Sequence, residues 1–433
     1  MEGNRGVTIR PHDCIVIGAG PSGLMAAITV ARYGADVLVI EHRDRPLKKL
    51  YATGNGRCNF TNLKFDDDSY RGTDPSFAYK AIEVFGREGL LDFMHGLGLM
   101  TKSIGDYVYP YNEQARAVAD ALLLECRKLQ IDIRCGEDVV DITYKDSFEV
   151  LTQTHMFRST RLILAAGGKA SPTHGSDGSI NKFIRGFGHN IILQQPALVP
   201  LKFGDRRLAL LAGVRVKCAV SLEVDDNMVS SEWGEIIFNK DNISGIPVMQ
   251  VSRFATRALA DGSEAALFLD LFPDESTEEL TSELKIVFMG TDRDNKGKHH
   301  SDVRRDRTAL EALGLCLNEK LAEYCLNEAG IVPRSLAGNC SEARLERLSA
   351  LLKDLRIPVI DNAGFDRAQV TAGGVDVSEL TGDMESKLIS GLYIAGELCD
   401  IDGTCGGYNL QWAFTSGYIA GMAAGRDYCL YRK

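Results

Sequence analysis

The hydrophobic pattern near the start of the chain switches between short apolar runs and one helical repeat. Residues 14–17 form an apolar run that leads directly into glycines, and residues 36–40 form a second, β-branched run. Between them, residues 24–33 are rich in alanine and have helical spacing. This order predicts a strand, a glycine turn, a helix and a second strand, which together make one βαβ unit.

Further strands and helices are predicted after this unit, and the same α/β pattern returns later in the chain. An amphipathic helix is predicted over residues 113–129, with strands over residues 131–135 and 161–165. After a long segment of different character, an apolar strand is predicted over residues 392–395 and a helix over residues 409–424. The pattern therefore predicts one α/β domain assembled from two separate parts of the sequence.

The segment between these two α/β regions has a different pattern of apolar and polar positions. Residues 214–224 and 228–238 alternate between apolar and polar positions on either side of an Asp-Asp-Asn turn, which predicts a β-hairpin. From residue 247 to residue 355 the pattern is mostly helical, with a polar, basic interruption at residues 291–307. We interpret that interruption as a solvated loop rather than an anion site.

The composition argues against a nucleic-acid-binding, membrane-spanning, secreted or metal-binding protein. The net charge of −10 disfavours nucleic acid or an anionic membrane as the main partner. The longest apolar runs are too short to span a bilayer, and residues 1–13 lack the apolar core of a signal peptide. The 11 cysteines are dispersed without a C-x-x-C pair, and no histidines have metal-ligand spacing. We therefore expect a cytoplasmic protein without a metal site.

A G-x-G-x-x-G motif lies between the first predicted strand and helix. Gly18 permits the tight turn, Gly20 lets the backbone approach a pyrophosphate, and Gly23 lets helix and strand pack closely. The start of the helix then offers N–H groups and a partial positive charge to the phosphates. We place Ala19 and Ser22, which lie within the motif, in the same binding site.

An acid and a second glycine element identify the dinucleotide. Glu41 ends the second strand, where a carboxylate can accept hydrogen bonds from both ribose hydroxyls and would repel a 2′-phosphate. The segment that ends in Gly396 and Glu397 looks like the second FAD signature of two-dinucleotide flavoproteins, in which the acid holds the ribityl chain. Nicotinamide enzymes have no use for such an element. We therefore predict FAD, and neither His42 nor His174 stands in a context that argues for covalent attachment.

One segment carries a more specific resemblance. Residues 52–62 resemble the G-x-G-R-C-N-x-T-N signature of the flavoprotein family that includes aminoacetone oxidase and BaiN-type bile-acid reductase. The similarity recurs along nearly the whole chain, up to a G-G-Y-N-L-Q run at residues 406–411. Two departures stand out: Cys405 replaces an expected threonine, and Asn239-Lys240 replace an expected Thr-His in the insertion.

The resemblance extends the predicted cofactor site. It implies that the G-x-G-R-C-N loop lies near the isoalloxazine ring, that the backbone at residue 139 meets the adenine, and that the start of the last helix faces the flavin. The implied residues are Gly54, Asn55, Gly56, Arg57, Cys58, Asn59, Val139, Ala166, Gly167, Gly406, Gly407, Tyr408, Asn409 and Leu410. The N–H groups of that helix start would stabilise negative charge on the N1–C2 carbonyl edge of reduced flavin.

Two side chains in the G-x-G-R-C-N loop keep alternative interpretations. Arg57 either meets an anionic group or forms a structural salt bridge. Cys58 has no partner cysteine in sequence, so we expect a packed thiol rather than a redox centre.

These observations predict an α/β protein with a Rossmann-like FAD-binding domain. The domain is expected to comprise residues 1–195 and 356–433, with an inserted substrate or cap domain at residues 196–355 that is β-rich and then helical. The expected activity is hydride transfer between flavin N5 and a small or medium organic substrate. Catalytic candidates are Arg57, Tyr408 and Asn409.

The second redox partner and the oligomeric state stay open at this point. No second G-x-G-x-x-G precedes a helix, so either NAD(P)H visits the flavin transiently or O2 reoxidises it. An alternative is a non-catalytic flavoprotein that uses FAD structurally to bind a partner or RNA, although the acidic net charge weighs against RNA.

Overall fold

A computed structural model describes residues 9–290 and 307–431 of the chain. These residues form two compact units. One contains the described residues up to Pro196 and from Phe365 onward, and the other contains the described residues from Ala197 to Gly364. Most of the predicted loop at residues 291–307 lies outside the described residues.

The first unit mixes single strands and helices with a run of five consecutive strands, whereas in the second unit four strands precede the first α-helix. The strands are β1 (Ile9–His12), β2 (Cys14–Ile17), β3 (Val37–Glu41), β4 (Thr61–Asn62), β5 (Tyr70–Gly72), β6 (Thr101–Ile104), β7 (Tyr107–Pro110), β8 (Asp132–Cys135), β9 (Val139–Tyr144), β10 (Phe148–Thr152), β11 (Met156–Ser159), β12 (Leu162–Leu164), β13 (Gln195–Ala197), β14 (Leu201–Phe203), β15 (Arg215–Val224), β16 (Asn227–Phe238), β17 (Asn242–Gly245), β18 (Ala265–Asp270), β19 (Leu355–Asn362), β20 (Val370–Ala372), β21 (Leu392–Ile394) and β22 (Ile401–Gly403). The α-helices are α1 (Pro21–Ala31), α2 (Lys48–Ala52), α3 (Ser76–Val84), α4 (Arg87–Gly96), α5 (Ala115–Lys128), α6 (Asn181–Gly186), α7 (Ile246–Ala260), α8 (Thr277–Met289), α9 (Ala309–Leu313), α10 (Glu319–Glu328), α11 (Glu342–Lys353) and α12 (Tyr408–Tyr431).

A five-stranded parallel sheet organises the first unit, in the order β21-β12-β2-β3-β8. Its central strands are almost fully buried, as expected when both faces of a parallel sheet are covered. The sheet contains the βαβ unit predicted at the start of the chain together with β21 from the later α/β segment. The prediction of a Rossmann-like domain is therefore confirmed, and its sheet draws strands from two separate parts of the sequence.

Helix α12 packs unusually closely on α1. A Cβ atom added at Gly417 would lie 2.3 Å from the carbonyl oxygen of Ser22, and one at Gly421 would lie 2.6 Å from that of Ala26. Only glycine at these positions lets the two backbones approach this far. The close contact fixes the position of one helix against the other within the same unit.

Other strands among the described residues form four smaller sheets. They are a four-stranded sheet β1-β11-β10-β9, a three-stranded sheet β4-β7-β6, and the two-stranded pairs β13-β20 and β22-β5. The three-stranded sheet follows the G-x-G-R-C-N loop directly, because β4 begins at Thr61.

The second unit is a closed barrel, β14-β17-β16-β15-β18-β19, with helices around its own hydrophobic core. The predicted hairpin forms from β15 and β16. Asp225 and Asp226 make its turn with φ angles of 48° and 62°, whereas Asn227 already belongs to β16. Positive φ at both central residues is typical of the turn whose twist suits a hairpin.

Two parts of this unit differ in detail from the sequence-based expectation. Strand β18 lies inside the segment predicted to be mostly helical, because a short buried apolar run cannot be assigned from periodicity alone. Strand β19 pairs with β14 and β18, so residues 356–364 belong to the barrel unit and not to the FAD domain. The unit boundary therefore falls after Gly364.

Among residues 9–290 and 307–431, no helix is long and apolar enough to cross a lipid bilayer. Within the same residues, no three or more His, Cys, Asp or Glu side chains are grouped so that they could hold a metal ion. The 11 cysteines all fall in the described ranges and are free.

Candidate functional site

The glycine turn after β2 has the steric features of a dinucleotide-binding turn. Gly18 has a φ of 102°, and a Cβ there would lie 2.5 Å from the carbonyl oxygen of Ala165. A Cβ at Gly23 would lie 1.9 Å from the carbonyl oxygen of Gly18, so helix α1 can approach the turn only through glycine. At Gly20 no atom lies within 4 Å of the Cβ position, which leaves open space over the turn.

The start of α1 presents unpaired donors to this open space. Gly20 is the N-cap residue, Pro21 follows it, and no side chain caps the helix. No acceptor within the described residues takes the backbone N–H groups of Gly20, Ser22 and Gly23. Free N–H groups at a helix start, with the positive end of the helix dipole, fit a pyrophosphate.

Glu41 lies at the end of β3, beside the same turn. Its Oε2 accepts a hydrogen bond of 2.8 Å from the Ala19 N–H, and its Oε1 accepts one of 2.9 Å from the Arg43 N–H. These bonds orient the carboxylate and leave further lone pairs for ribose hydroxyls. They also show that the Ala19 N–H contacts Glu41 instead of pointing at a phosphate.

A cavity of about 210 Å³ lies at this edge of the parallel sheet. It brings together five residues predicted to contact the cofactor: Gly18, Glu41, Val139, Ala166 and Gly167. It also contains residues that the sequence interpretation had not placed in the site: Ile17, Ile40, His42, Glu137, Asp138, Gly175, Asp177, Gly178, Ser179, Ile180 and Phe183. In the sequence, the Gly-Ser-Asp-Gly run at residues 175–178 could have indicated that this segment lines the cavity.

His42 contributes a polar atom without a partner to this cavity. Its Nε2 is buried and has no hydrogen-bond partner, and it lies 4.0 Å from Oε1 of Glu41. A buried polar group without a partner is uncommon in a folded protein, and a bound ligand is one way to satisfy it. The cavity therefore has the size, the acid and the unsatisfied donor or acceptor that the adenosine end of a dinucleotide would use.

Glu397 lies beside the first turn of α1. A Cβ at the preceding Gly396 would lie 2.5 Å from Oγ of Ser22. Glu397 accepts a 2.7 Å bond from Nζ of Lys49 and a 2.9 Å bond from the Thr371 N–H. Sequence reasoning missed Lys49, because 348 residues separate it from Glu397.

The G-x-G-R-C-N loop is a tight, left-handed turn. Gly54 and Asn55 both have φ of 55°, and Cys58 has φ of 58°. Cys58 is fully buried, and burial raises the pKa of its thiol to about 12, which agrees with a packed thiol. The Oδ1 atom of Asn59 is buried without a hydrogen-bond partner.

Arg57 has the salt bridge that was one of its two predicted roles. Its guanidinium pairs with the carboxylate of Glu113 and lies 4.8 Å from the centre of the Tyr109 ring. Lys102 pairs with the same carboxylate at 2.6 Å. Hydrogen bonds from Lys102 and Arg57 lower the pKa of Glu113. Contact of Arg57 with an anionic ligand stays a prediction.

The start of α12 meets the G-x-G-R-C-N loop. Gly407 has φ of 94°, and a Cβ there would lie 2.4 Å from Oδ1 of Asn59. In the part of the chain that the structure describes, the N–H groups of Tyr408, Asn409 and Leu410 have no acceptor. The arrangement places a set of unpaired donors next to an unpaired buried acceptor, which suits a flat ring that carries both donors and acceptors.

The side chains of Tyr408 and Asn409 have structural contacts. The Tyr408 hydroxyl donates a 2.7 Å bond to the Lys64 carbonyl, and burial raises its pKa. The Asn409 amide accepts from the Gly403 N–H at 2.8 Å and donates to the Gly403 carbonyl at 2.7 Å. These bonds hold the loop before α12, and a catalytic role for either side chain stays a prediction.

Two helix starts with unpaired donors, an oriented acid and a cavity on one Rossmann-like unit fit FAD. Together with the relatives described next, they define an FAD-dependent oxidoreductase. The chain belongs to the family described as HI0933-like protein Rossmann domain, which matches residues 12–423. The family resemblance inferred from the G-x-G-R-C-N signature is thus confirmed.

Two named relatives cover nearly the whole chain. A 3-dehydro-bile acid delta(4,6)-reductase from Clostridium scindens is 37% identical over 413 residues, which covers 94% of this chain and 98% of that protein. A ribosomal RNA dihydrouridine synthase from Escherichia coli is 27% identical over 413 residues, with 94% and 96% coverage. Among solved structures, a flavocytochrome c3 fumarate reductase matches with a TM-score of 0.49 and 15% identity over 98% of this chain and 79% of that one.

Proposed function

We propose that this protein is an FAD-dependent reductase in which hydride from NAD(P)H passes through the flavin to an organic substrate. In the alternative, a substrate reduces the flavin and O2 takes the electrons from it. The observation that carries the proposal is the pair of helix starts, α1 and α12, whose N–H groups have no acceptor within the described residues. Helix α1 offers its donors beside the oriented Glu41, and α12 offers its donors beside Asn59. When bound, FAD supplies reversible hydride transfer at N5.

The names of the relatives guide the choice of substrate. A delta(4,6)-reductase and a dihydrouridine synthase both saturate carbon–carbon double bonds. Hydride adds to such a bond when a neighbouring carbonyl accepts the electron pair. We therefore propose a substrate with a carbon–carbon double bond conjugated to a carbonyl.

Between the two kinds of substrate, we favour a small molecule over RNA. The more similar relative acts on a bile acid, at 37% identity against 27%. The net charge of −10 also opposes the phosphate backbone of RNA, whose binding depends on clustered cations. Because two relatives act on ribosomal RNA, an RNA substrate is the alternative that the experiment has to test.

The protein groups at the α12 start would act by position and charge. The N–H groups of Tyr408, Asn409 and Leu410, at the positive end of a long helix, would stabilise negative charge that develops on the ring during reduction. The fixed loop geometry, which the Asn409 side chain maintains, means that little reorganisation is needed when that charge appears.

The test is an anaerobic stopped-flow measurement on the purified protein. Chromatography of the denatured protein should first release FAD and not FMN. NADH or NADPH should then bleach the flavin absorbance, and 3-oxochola-4,6-dien-24-oic acid should restore it in the absence of O2. A colourless protein that cannot be reconstituted with FAD would overturn the cofactor. Reoxidation by a ribosomal RNA fragment, but not by the steroid, would replace the proposed substrate class.

A further inference from the structure

An exposed apolar face lies on the small sheet β4-β7-β6. Two cross-strand pairs of β6 and β7 point to one side, Ile104 opposite Tyr107 and Lys102 opposite Tyr109. Just beyond the strands, Met100 and Tyr111 continue this pattern and are joined by a bond of 2.8 Å from the Tyr111 N–H to the Met100 carbonyl. Met100 is 68% exposed and Tyr111 is 59% exposed. Val108, which points to the other side of β7, is buried. We call the two cross-strand pairs together with Met100 and Tyr111, six residues without Val108, the tyrosine face.

The tyrosine face borders the proposed flavin site. A Cβ added at Gly406, in the loop before α12, would lie 3.0 Å from the Tyr107 ring. Arg57 of the G-x-G-R-C-N loop lies over the Tyr109 ring at 4.8 Å. Both segments that would hold the flavin ring therefore contact the first two pairs of this face.

The face also carries a net positive charge along one edge. Arg57 and Lys102 share the single carboxylate of Glu113, so two cations and one anion leave a charge of +1. Lys102 additionally lies 5.5 Å from the centre of the Tyr111 ring. An anionic group could bind at this edge without displacing the tyrosines.

We propose that the tyrosine face binds a flat, apolar organic acid, with its ring system on the tyrosines and its carboxylate at Lys102 and Arg57. This inference rests on the proposed function and adds the substrate's shape and charge to it. Five consecutive positions on β7 and its continuation span about 14 Å, which suits a fused-ring molecule better than a length of RNA. The single net positive charge likewise matches one carboxylate and not a chain of phosphates.

The test compares an acid with its neutral ester on the FAD-loaded protein. The probes are 3-oxochola-4,6-dien-24-oic acid and its methyl ester, titrated anaerobically while the flavin absorption spectrum is recorded. Lys102→Gln should weaken binding of the acid about tenfold, the effect of one charge-assisted hydrogen bond, and leave the ester unchanged. Tyr111→Ala should weaken both probes about fivefold because ring contact is lost.

Lys128→Gln is the matched control. Lys128 is an exposed lysine on α5 whose ammonium also pairs with a single carboxylate, that of Glu125, so its replacement should change neither affinity. The FAD content of each variant shows that the fold and the cofactor site are intact.

The outcomes separate the inference from the proposed function. If the wild-type protein binds both probes and neither variant alters either affinity, the tyrosine face is not the substrate site. If Lys102→Gln weakens the acid and the ester equally, the carboxylate assignment is wrong. If the wild-type protein holds no FAD, or is reoxidised only by ribosomal RNA, the proposed function fails before the face is tested.

Discussion

The two helix starts that would hold the cofactor differ in how they are assembled. The α1 end is local: β2, the glycine turn, α1 and Glu41 all fall within about thirty residues of sequence. The α12 end is dispersed, because Gly407 meets Asn59, and Glu397 pairs with Lys49 across 348 residues. The α1 end therefore depends on neighbouring residues, whereas the α12 end depends on contacts between distant parts of the sequence.

The largest expected effect tests the local end. Gly20→Val should abolish FAD binding while the apoprotein remains folded, because no protein atom lies within 4 Å of the new Cβ. The clash would be with the pyrophosphate alone. The measurement is FAD affinity by fluorescence together with thermal unfolding of the apoprotein. Gly96→Val, at another open helix glycine, is the control and should bind FAD normally.

A smaller effect at the same end comes from the acid. Glu41→Ala should weaken FAD binding by about 1–3 kcal/mol, because the ribose hydroxyls lose their acceptor. Glu41→Gln keeps one side-chain oxygen and should lose less. The apoprotein should also unfold at a lower temperature in the alanine variant, since the N–H groups of Ala19 and Arg43 lose their partner. Unchanged FAD affinity in Glu41→Ala would mean that the ribose binds elsewhere.

The dispersed end is tested through the Lys49–Glu397 pair. Glu397→Gln should weaken FAD binding about tenfold, because the ion pair that positions this segment becomes a weaker hydrogen bond from the Lys49 ammonium to a neutral amide. The double variant Lys49→Gln/Glu397→Gln distinguishes two roles by titration of FAD into each apoprotein. If the pair acts as one unit, the double variant should equal the single variants; if each residue contacts FAD independently, the losses should add.

The smallest expected effect is on the chemical reactivity of Cys58, which lies in the G-x-G-R-C-N loop at the dispersed end. Burial raises the pKa of its thiol to about 12, so below that pH the thiol stays protonated and unreactive. Iodoacetamide at pH 8 should label the exposed Cys429 and leave Cys58 unmodified, as measured by mass spectrometry of tryptic peptides. Rapid labelling of Cys58 in the folded protein would contradict the packed position and reopen a redox role.

Prediction from sequence succeeded where structure depends on neighbouring residues. The βαβ unit, the hairpin turn at Asp225 and Asp226, and the helix after Gly407 follow from local periodicity and turn chemistry. The position of β18 did not follow, since its short apolar run looks the same in a helix or a strand. Nor did the partner of Glu397, because nothing in the sequence near Lys49 marks a contact so far along the chain.

The discontinuity of the first unit has a consequence for how the protein is made. The parallel sheet needs β21 at its edge, and the close glycine contact with α1 needs α12; both are synthesised after the barrel. The elements β2, α1 and β3 must therefore avoid aggregation while the ribosome completes the roughly 350 residues between β3 and β21. All strands of the barrel come from one segment of the chain, residues 197–364, so the barrel can fold during that interval. On this view the cofactor site is the last part of the molecule to form, and capture of FAD marks the end of folding.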